Sequence, residues 1–298
     1  MKGIRPSRDP PFMGRKGSHM YKLIVTDIDG TLAGWDGRVS RRNEEALRAA
    51  AARGILVTLA TGRTRESATP YLQYATPHTP AIFANGAVIA EADTGRVLFD
   101  CPLSPAAVAA IWERGRQCGA GQVVWSGGVP WLDGEDTAME AYRRHLRTPP
   151  RLATDAAAFR DTGATKVLWV APEDNIRRYV AELAERPIPG VNWHTSSPTF
   201  LEFVSEGASK GEALRRVAAI CGIAQEEVFA AGDEMNDLPM LRWAGLGVAM
   251  ENGVEGLRGA ARHITASVAE DGLAQAIERF ILVGDLNDTA SQTGKGVL

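Results

Sequence analysis

The chain reads as an α/β protein, a doubly wound, mostly parallel sheet of the Rossmann-like kind with an α+β domain inserted into it. Three observations predict this. Short apolar runs alternate with helical patterns from Tyr21 onward, the same rhythm returns late in the chain, and the stretch between them has a different texture. At 298 residues the chain also exceeds the usual size of one domain, roughly 100 to 200 residues, so two units on one polypeptide are expected.

Leu23 to Thr26 reads as a strand, Asn43 to Arg53 as a helix, Ile55 to Ala60 as a strand and Pro80 to Ala84 as another. Gly54 ends the first helix because glycine takes the left-handed conformation that such an end requires. The run behind it is β-branched enough to be a buried parallel strand. A helix from Ser209 to Cys221 closed by Gly222, a strand Val228 to Ala231, a helix after Asn236 and a strand Leu246 to Met250 complete the same sheet. Between these halves, strand-like runs at Arg96 to Phe99, Gln122 to Trp125, Thr165 to Val170 and Thr199 to Val204 interleave with helical patterns near 105–117 and 174–185. The expected division is a core at 21–86 and 204–283 with an insert at 87–203. Five of the seven tryptophans fall in the insert, which suits a compact core or a binding face. Residues 1–20 end in Gly17, Ser18, His19 and Met20 and read as a cloning remnant behind a basic, proline-containing leader, and residues 284–298 read as a flexible polar tail.

Composition narrows the function. With 45% hydrophobic and 23% charged residues, the chain has no apolar run approaching the roughly 18 residues that span a bilayer. A formal charge of -3 with scattered arginines offers no basic field for a nucleic-acid backbone. The leader lacks the apolar centre of about 7 to 15 residues that marks a secretory signal, so a cytoplasmic protein is expected. Cys101, Cys118 and Cys221 form no C-x-x-C pair and no metal-ligand spacing with histidine, which excludes zinc and disulfide readings. Oligomeric state leaves no mark in the sequence.

The chemistry-bearing residues fall at the ends of the expected strands, where open α/β sheets bind ligands. The first strand runs into D-I-D-G-T-L at 27–32, placing Asp27 and Asp29 at the site, with Gly30 permitting the sharp exit turn. The second ends in A-T-G-R at 60–63, where the Thr61 hydroxyl and the unhindered Gly62 N–H suit a phosphate oxygen. The third ends at Asn85, which either touches ligand or shapes the crossing into the insert. Ser209 to Glu212 reads S-x-x-E, the start of a helix. Lys210 in its first turn sits against the positive end of the helix dipole and therefore calls for an anion, which makes it a phosphate ligand. The strand Val228 to Ala231 delivers G-D-E-M-N-D at 232–237, bringing Asp233, Asn236 and Asp237 to the same edge. Asp27, Asp29, Asp233 and Asp237 together are unfavourable unless a cation compensates them, and an all-oxygen site that also accepts phosphate points to Mg²⁺.

These spaced motifs resemble the haloacid dehalogenase-like phosphatase superfamily, most closely its Cof-type (IIB) members, whose α/β cap lies between the second and third motifs. A-N-G-A at 84–87, L-E-F at 201–203, S-K-G-E-A-L at 209–214, N-D-L-P-M-L at 236–241 and G-V-A-M-E-N at 247–252 extend the match. The resemblance covers nearly all of Tyr21 to Ile281. Gly253 departs from it, where the family usually carries alanine. The resemblance implies that Asp27 is the nucleophile and Asp29 the general acid and base. It further implies that Mg²⁺ binds Asp27, the Asp29 carbonyl and Asp233, with Asp237 in support, and that Thr61, Lys210 and Asn236 grip a small phosphorylated metabolite. The family includes enzymes for sugar phosphates, pyridoxal phosphate and flavin-pathway phosphates. Three rival readings are a phosphomutase of the phosphomannomutase type, which returns the phosphoryl group to substrate, a non-catalytic binder of a phosphorylated metabolite, and a structural or partner-binding protein that keeps the fold only. Retention of both Asp27 and Asp29 speaks against the second.

Overall fold

All four residues of Leu23–Thr26 are buried, as a strand covered on both faces must be. In the computed structural model, which describes residues 21–134, 139, 142–143 and 146–282, this strand lies within a five-stranded parallel sheet. The order across that sheet is His263–Ile264, Leu246–Ala249, Val228–Gly232, Leu23–Thr26 and Leu56–Leu59. Leu23 stands in register with both Val228 and Leu56. The leader 1–20 and the tail 284–298 lie outside the described residues.

Alternation along each strand divides the apolar side chains between two layers. Ile24, Val57, Phe229 and Val248 pack on one face with Leu47 of helix Arg41–Ala52 and Ile277 of helix Gly272–Ile277. On the other face Leu23, Val25 and Ala230 meet Leu214 and Val217 of helix Lys210–Cys221 and Leu241 of helix Leu238–Trp243. This is the doubly wound arrangement the periodicity predicts. The first helix begins on Ser40, whose side chain accepts the Asn43 N–H, and Gly54 behind it has φ of +83°.

A single parallel bridge, Ala60 to Ile82, joins the Leu56–Leu59 edge to a smaller antiparallel sheet of Pro80–Phe83, Val88–Glu91 and Val97–Asp100. Ile82 and Ile89 belong to the second core layer, and Leu98 and Phe99 pack against it. The range 87–203 expected for the insert therefore opens with a hairpin that packs on the core.

The separate sheet follows that hairpin. Its six strands run in the order Val191–Ser197, Phe200–Ser205, Lys166–Val170, Gly121–Ser126, Val129–Leu132 and Arg151–Leu152. Every pairing is antiparallel except the last. Helices Pro105–Cys118 and Glu173–Glu185 supply Trp112 and Tyr179 to a cluster on one face that also holds Trp169 and Phe203. Trp131 and Trp193 pack against that cluster. Trp125 belongs to the opposite face, with Val123, Leu168 and the partly buried Tyr142 and Phe200. Four of the five tryptophans in the insert thus belong to the cluster under helices Pro105–Cys118 and Glu173–Glu185, and the fifth, Trp125, is buried in the cluster on the other face.

Buried polar contacts tie the core together where packing alone would leave the layers free to slide. Asn43 is buried, donates Nδ2 to the Leu32 carbonyl at 3.1 Å and accepts the Ala274 N–H at 2.9 Å. It joins the loop after the first strand to the last helix. Asn43→Ala leaves a buried carbonyl and a buried N–H without partners and is expected to destabilise the core by about 2 kcal/mol. Chemical denaturation followed by circular dichroism checks this, and an unchanged midpoint would refute the role.

Candidate active site

Each motif lies where a strand of the core ends. Asp27 continues the first strand by donating its N–H to the Ala231 carbonyl at 3.0 Å, and Thr61 donates its N–H to Ile82 at 2.9 Å. Asp233 follows Val228–Gly232 directly. The parallel direction of the sheet puts all three on one edge. Gly30 has φ of +77°, and a Cβ there would stand 2.2 Å from Oδ2 of Asp233. Glycine is required both for the turn and for the approach of the Asp233 carboxylate.

Three carboxylates meet on that edge. Ligand oxygens of Asp27, Asp233 and Asp237 lie within 4.8 Å of one another, and all three residues are buried. Lys210, 2% exposed, sits between two of them, donating Nζ to Oδ1 of Asp27 at 2.8 Å and to Oδ1 of Asp237 at 2.6 Å. Helix placement explains its reach. Ser209 accepts the Glu212 N–H at 3.0 Å to start the helix, and the lysine in the first turn then projects toward the strand ends. Asp237 is held on its other oxygen by the N–H groups of Asp233 and Glu234, each at 3.0 Å. The Thr31 hydroxyl donates to Oδ1 of Asp233 at 2.9 Å. Among the described residues no donor reaches Oδ2 of Asp27 or Oδ2 of Asp233.

The electrostatics follow from this crowding. Burial above all pushes Asp27 up to about 7 and Asp233 up to about 8; Lys210 opposes this most strongly at Asp27, and the neighbouring carboxylates add to the rise at both. Burial by itself would weaken the hold of Lys210 on its proton, but Asp237 and Asp27 overcome this and raise its pKa. With all three ionised, the carboxylates against one ammonium leave two negative charges, which a divalent cation would balance. The two carboxylate oxygens without donors are hard ligands suited to Mg²⁺, so the donor set fits that ion.

The fourth expected aspartate behaves differently. Asp29 turns its carboxylate to Arg63, which donates Nε and Nη2 to its two oxygens at 2.7 Å each. Its side chain is therefore outside the cluster, and only its backbone remains to serve a cation. Arg63 also lies 5.1 Å from the centre of the Tyr71 ring. Reading A-T-G-R for its threonine and glycine alone missed this arginine. A cation two residues beyond Thr61, on the edge that carries the aspartates, was the available signal.

Asp27, Asp29, Thr61, Gly62, Lys210 and Asn236 line one cavity of about 350 Å³. The insert closes its far side with Trp125, Tyr142, Lys166, Phe200 and Glu202, and Trp35 stands at the core rim, 72% exposed. Lys166 and Glu202 were also missed, although the second lies in the L-E-F match. Asn85 shapes the crossing: its side chain accepts from Nδ2 of Asn236 at 2.9 Å and donates to Oε2 of Glu202 at 3.1 Å.

Comparison with known proteins agrees with this fold. The sequence profile of the haloacid dehalogenase-like hydrolases matches residues 24–277. YxeH of Bacillus subtilis (strain 168), described as a putative phosphatase, is 30% identical over 270 residues, which cover 88% of this chain and 99% of that protein. The 5-amino-6-(5-phospho-D-ribitylamino)uracil phosphatase YcsE of the same organism is 30% identical over 261 residues, covering 88% of this chain and 96% of the relative. The crystal structure of a haloacid dehalogenase-like hydrolase from Bacteroides thetaiotaomicron superimposes with a TM-score of 0.75 at 30% identity, over 87% of this chain and 99% of that one.

The raised carboxylates make a testable statement about pH. Between the ordinary aspartate value of 3.8 and the folded values of about 7 and 8, the folded chain holds protons that the unfolded chain has released. The stability contributed by Asp27 and Asp233 in chelated protein therefore falls as pH rises through that window. A bound divalent cation displaces those protons, so Mg²⁺ should raise the melting temperature more at about pH 8 than at about pH 6. Thermal melts with EDTA or Mg²⁺ decide it, and equal or reversed increments would contradict the electrostatic account.

Proposed function

This chain belongs to the haloacid dehalogenase-like hydrolase family and to its phosphatases, and from that premise we propose that it hydrolyses the phosphate monoester of a small metabolite through an aspartyl-phosphate on Asp27, with Mg²⁺ as cofactor. The observation that carries the reading is the Asp27 carboxylate itself. It is buried and lines the cavity, with Oδ1 held by Lys210 and no donor on Oδ2 among the described residues.

In the proposed reaction a carboxylate oxygen of Asp27 attacks phosphorus in line, forming an oxygen–phosphorus bond as the ester bond to the leaving group breaks. The departing oxygen takes a proton from Asp29, which gives up at least one bond to Arg63 in order to carry that proton. Asp29, now ionised, then accepts a proton from the water that attacks the aspartyl-phosphate, releasing inorganic phosphate and restoring Asp27. Thr61, Gly62, Lys210 and Asn236 hold the phosphoryl oxygens, and Asn85 orients Asn236. Asp27, Asp233 and the Asp29 backbone, supported by Asp237, would hold Mg²⁺, whose chemistry here is neutralisation of the phosphoryl charge.

The insert is assigned the selection of substrate. We place the start of the selecting unit after the hairpin Val88–Asp100, because that hairpin packs on the core, and its end near residue 203. The wall of Trp125, Tyr142 and Phe200 is edge-packed, with ring centres 6.3 Å and 5.4 Å apart in succession. Thr195, Ser196 and Ser197 line the same cavity, the Ser196 hydroxyl donating to Oε1 of Glu202 at 3.0 Å. Such a lining accepts a sugar phosphate. It also favours a second reading, a planar ring carrying a phosphorylated hydroxylated chain, the class to which the named substrate of YcsE belongs.

Asp27→Asn preserves shape but cannot form the acyl phosphate, and phosphate release should fall by about a thousandfold or more. Turnover within tenfold of the parent, in protein free of contaminating phosphatase, would sink the nucleophile assignment. EDTA should abolish activity and Mg²⁺ restore it, whereas Ca²⁺, with longer and looser coordination, should support little. Full phosphate release from thoroughly chelated protein rules out the cofactor assignment. The same assay separates hydrolysis from a mutase, which returns the phosphoryl group to substrate and liberates none.

A further inference from the structure

The inserted sheet meets the core through a run of buried and half-buried polar contacts. Lys166, Glu202 and Asn85 are 4%, 7% and 1% exposed. Lys166 donates Nζ to Oε1 of Glu202 at 3.1 Å and to the carbonyl of Gly62, in the expected phosphate loop, at 3.0 Å. Glu202 accepts Nδ2 of Asn85 on its other oxygen, and Asn85 in turn accepts Nδ2 of Asn236, the neighbour of Asp237. Two bonds in this run cross from insert to core, Lys166 to Gly62 and Asn85 to Glu202. Lys166 and Glu202 pair with each other within the insert, and each directs one further bond to a group of the core, so parting the two units leaves the Gly62 carbonyl and the Asn85 amide without these partners.

An independent feature lies at the same place. Ala84, Asn85 and Gly86 are successive residues with φ of +48°, +56° and +99°. Asparagine and glycine tolerate this region and alanine does not, so the segment is held there by its surroundings. A Cβ on Gly86 would stand 2.3 Å from the Ser209 carbonyl, which sets the segment directly against the start of the helix that carries Lys210. The strained turn thus presents the Asn85 amide between a carboxylate of the insert and a side chain of the catalytic edge.

We propose that Lys166, Glu202 and Asn85 form a latch that holds the insert closed over the core and, through Gly62 and Asn236, sets the phosphate-binding groups in place only when it is closed. These are positioning residues, acting through Gly62 and Asn236. The kinetic part of the proposal rests on the phosphatase reading, and the structural part does not.

A donor–acceptor swap tests it. Asn85→Asp keeps a residue type that tolerates the left-handed backbone but sets a carboxylate against Glu202. Glu202→Gln removes the charge that Lys166 pairs with. The double variant Asn85→Asp/Glu202→Gln restores one donor and one acceptor at unchanged net charge. With p-nitrophenyl phosphate and Mg²⁺, each single variant should lose about tenfold in kcat/KM and the double should recover to within about threefold of the parent. Small-angle X-ray scattering of the same samples should give a larger radius of gyration for the singles than for the parent or the double. Parent-like singles, a double no better than the singles, or an activity loss at unchanged scattering each overturns the latch. A parent enzyme that releases no phosphate from any monoester defeats the reading of function, while the scattering still decides the latch. Should thermal melts show that an Asn85 variant has lost its fold, Lys166→Met gives the same two readings from the insert side: an expanded, slow enzyme supports the latch and a compact, parent-like one overturns it.

Discussion

Three buried carboxylates crowd around one buried ammonium at the carboxyl edge of the sheet, and much of the surrounding structure is arranged to tolerate them. Lys210 bridges Asp27 and Asp237, two backbone N–H groups hold the far oxygen of Asp237, and Thr31 holds one oxygen of Asp233. Each is a hydrogen bond to a charged group, the kind that offsets part of the cost of burial. The compensation is incomplete, as the raised pKa values of Asp27 and Asp233 record. An edge with this residual charge is suited to a divalent cation and, through it, to a phosphoryl group. The glycine at 30 and the lysine in the first helical turn at 210, each unfavourable for local structure alone, follow from the same requirement.

The second constraint is that this edge faces the inserted sheet. Trp125, Tyr142 and Phe200 cluster on the sheet face opposite helices Pro105–Cys118 and Glu173–Glu185 and line the cavity that contains Asp27. Charged chemistry and apolar selection therefore occupy facing walls of one space. A closed arrangement excludes water and lowers the local dielectric, which strengthens every interaction with phosphate. The polar run from Lys166 to Asn236 crosses between the walls beside the cavity, and it is there that the backbone adopts its strained left-handed turn.

Regular elements were legible wherever apolar period and punctuation agreed. The helix Arg41–Ala52 between Ser40 and Gly54, and the helix Lys210–Cys221 between Ser209 and Gly222, fall within two residues of their expected limits. Val191–Ser197 escaped notice because it is an edge strand with polar, partly exposed residues and a register shift between Thr195 and Ser197. Val88–Glu91 escaped because the crossing at Asn85 was taken as the departure of the chain into the insert. Its pairing with Pro80–Phe83 and its packing under the core are long-range facts without a local signature.

By itself the sequence determined the two-layer core, the interruption by a second unit, and the position of Asp27, Thr61, Asn85 and Asp233 at strand ends, since strand direction and turn chemistry are local and periodic. Tertiary structure alone decided which of these side chains face one another. It drew the Asp29 carboxylate out of the expected cluster to Arg63 and gave the L-E-F glutamate a partner in Lys166, 36 residues earlier in the chain. It also chose Trp125 among five tryptophans to line the cavity. The reason is physical: a carboxylate pairs with whichever cation the packing brings within about 3 Å, and separation along the chain carries no information about that distance.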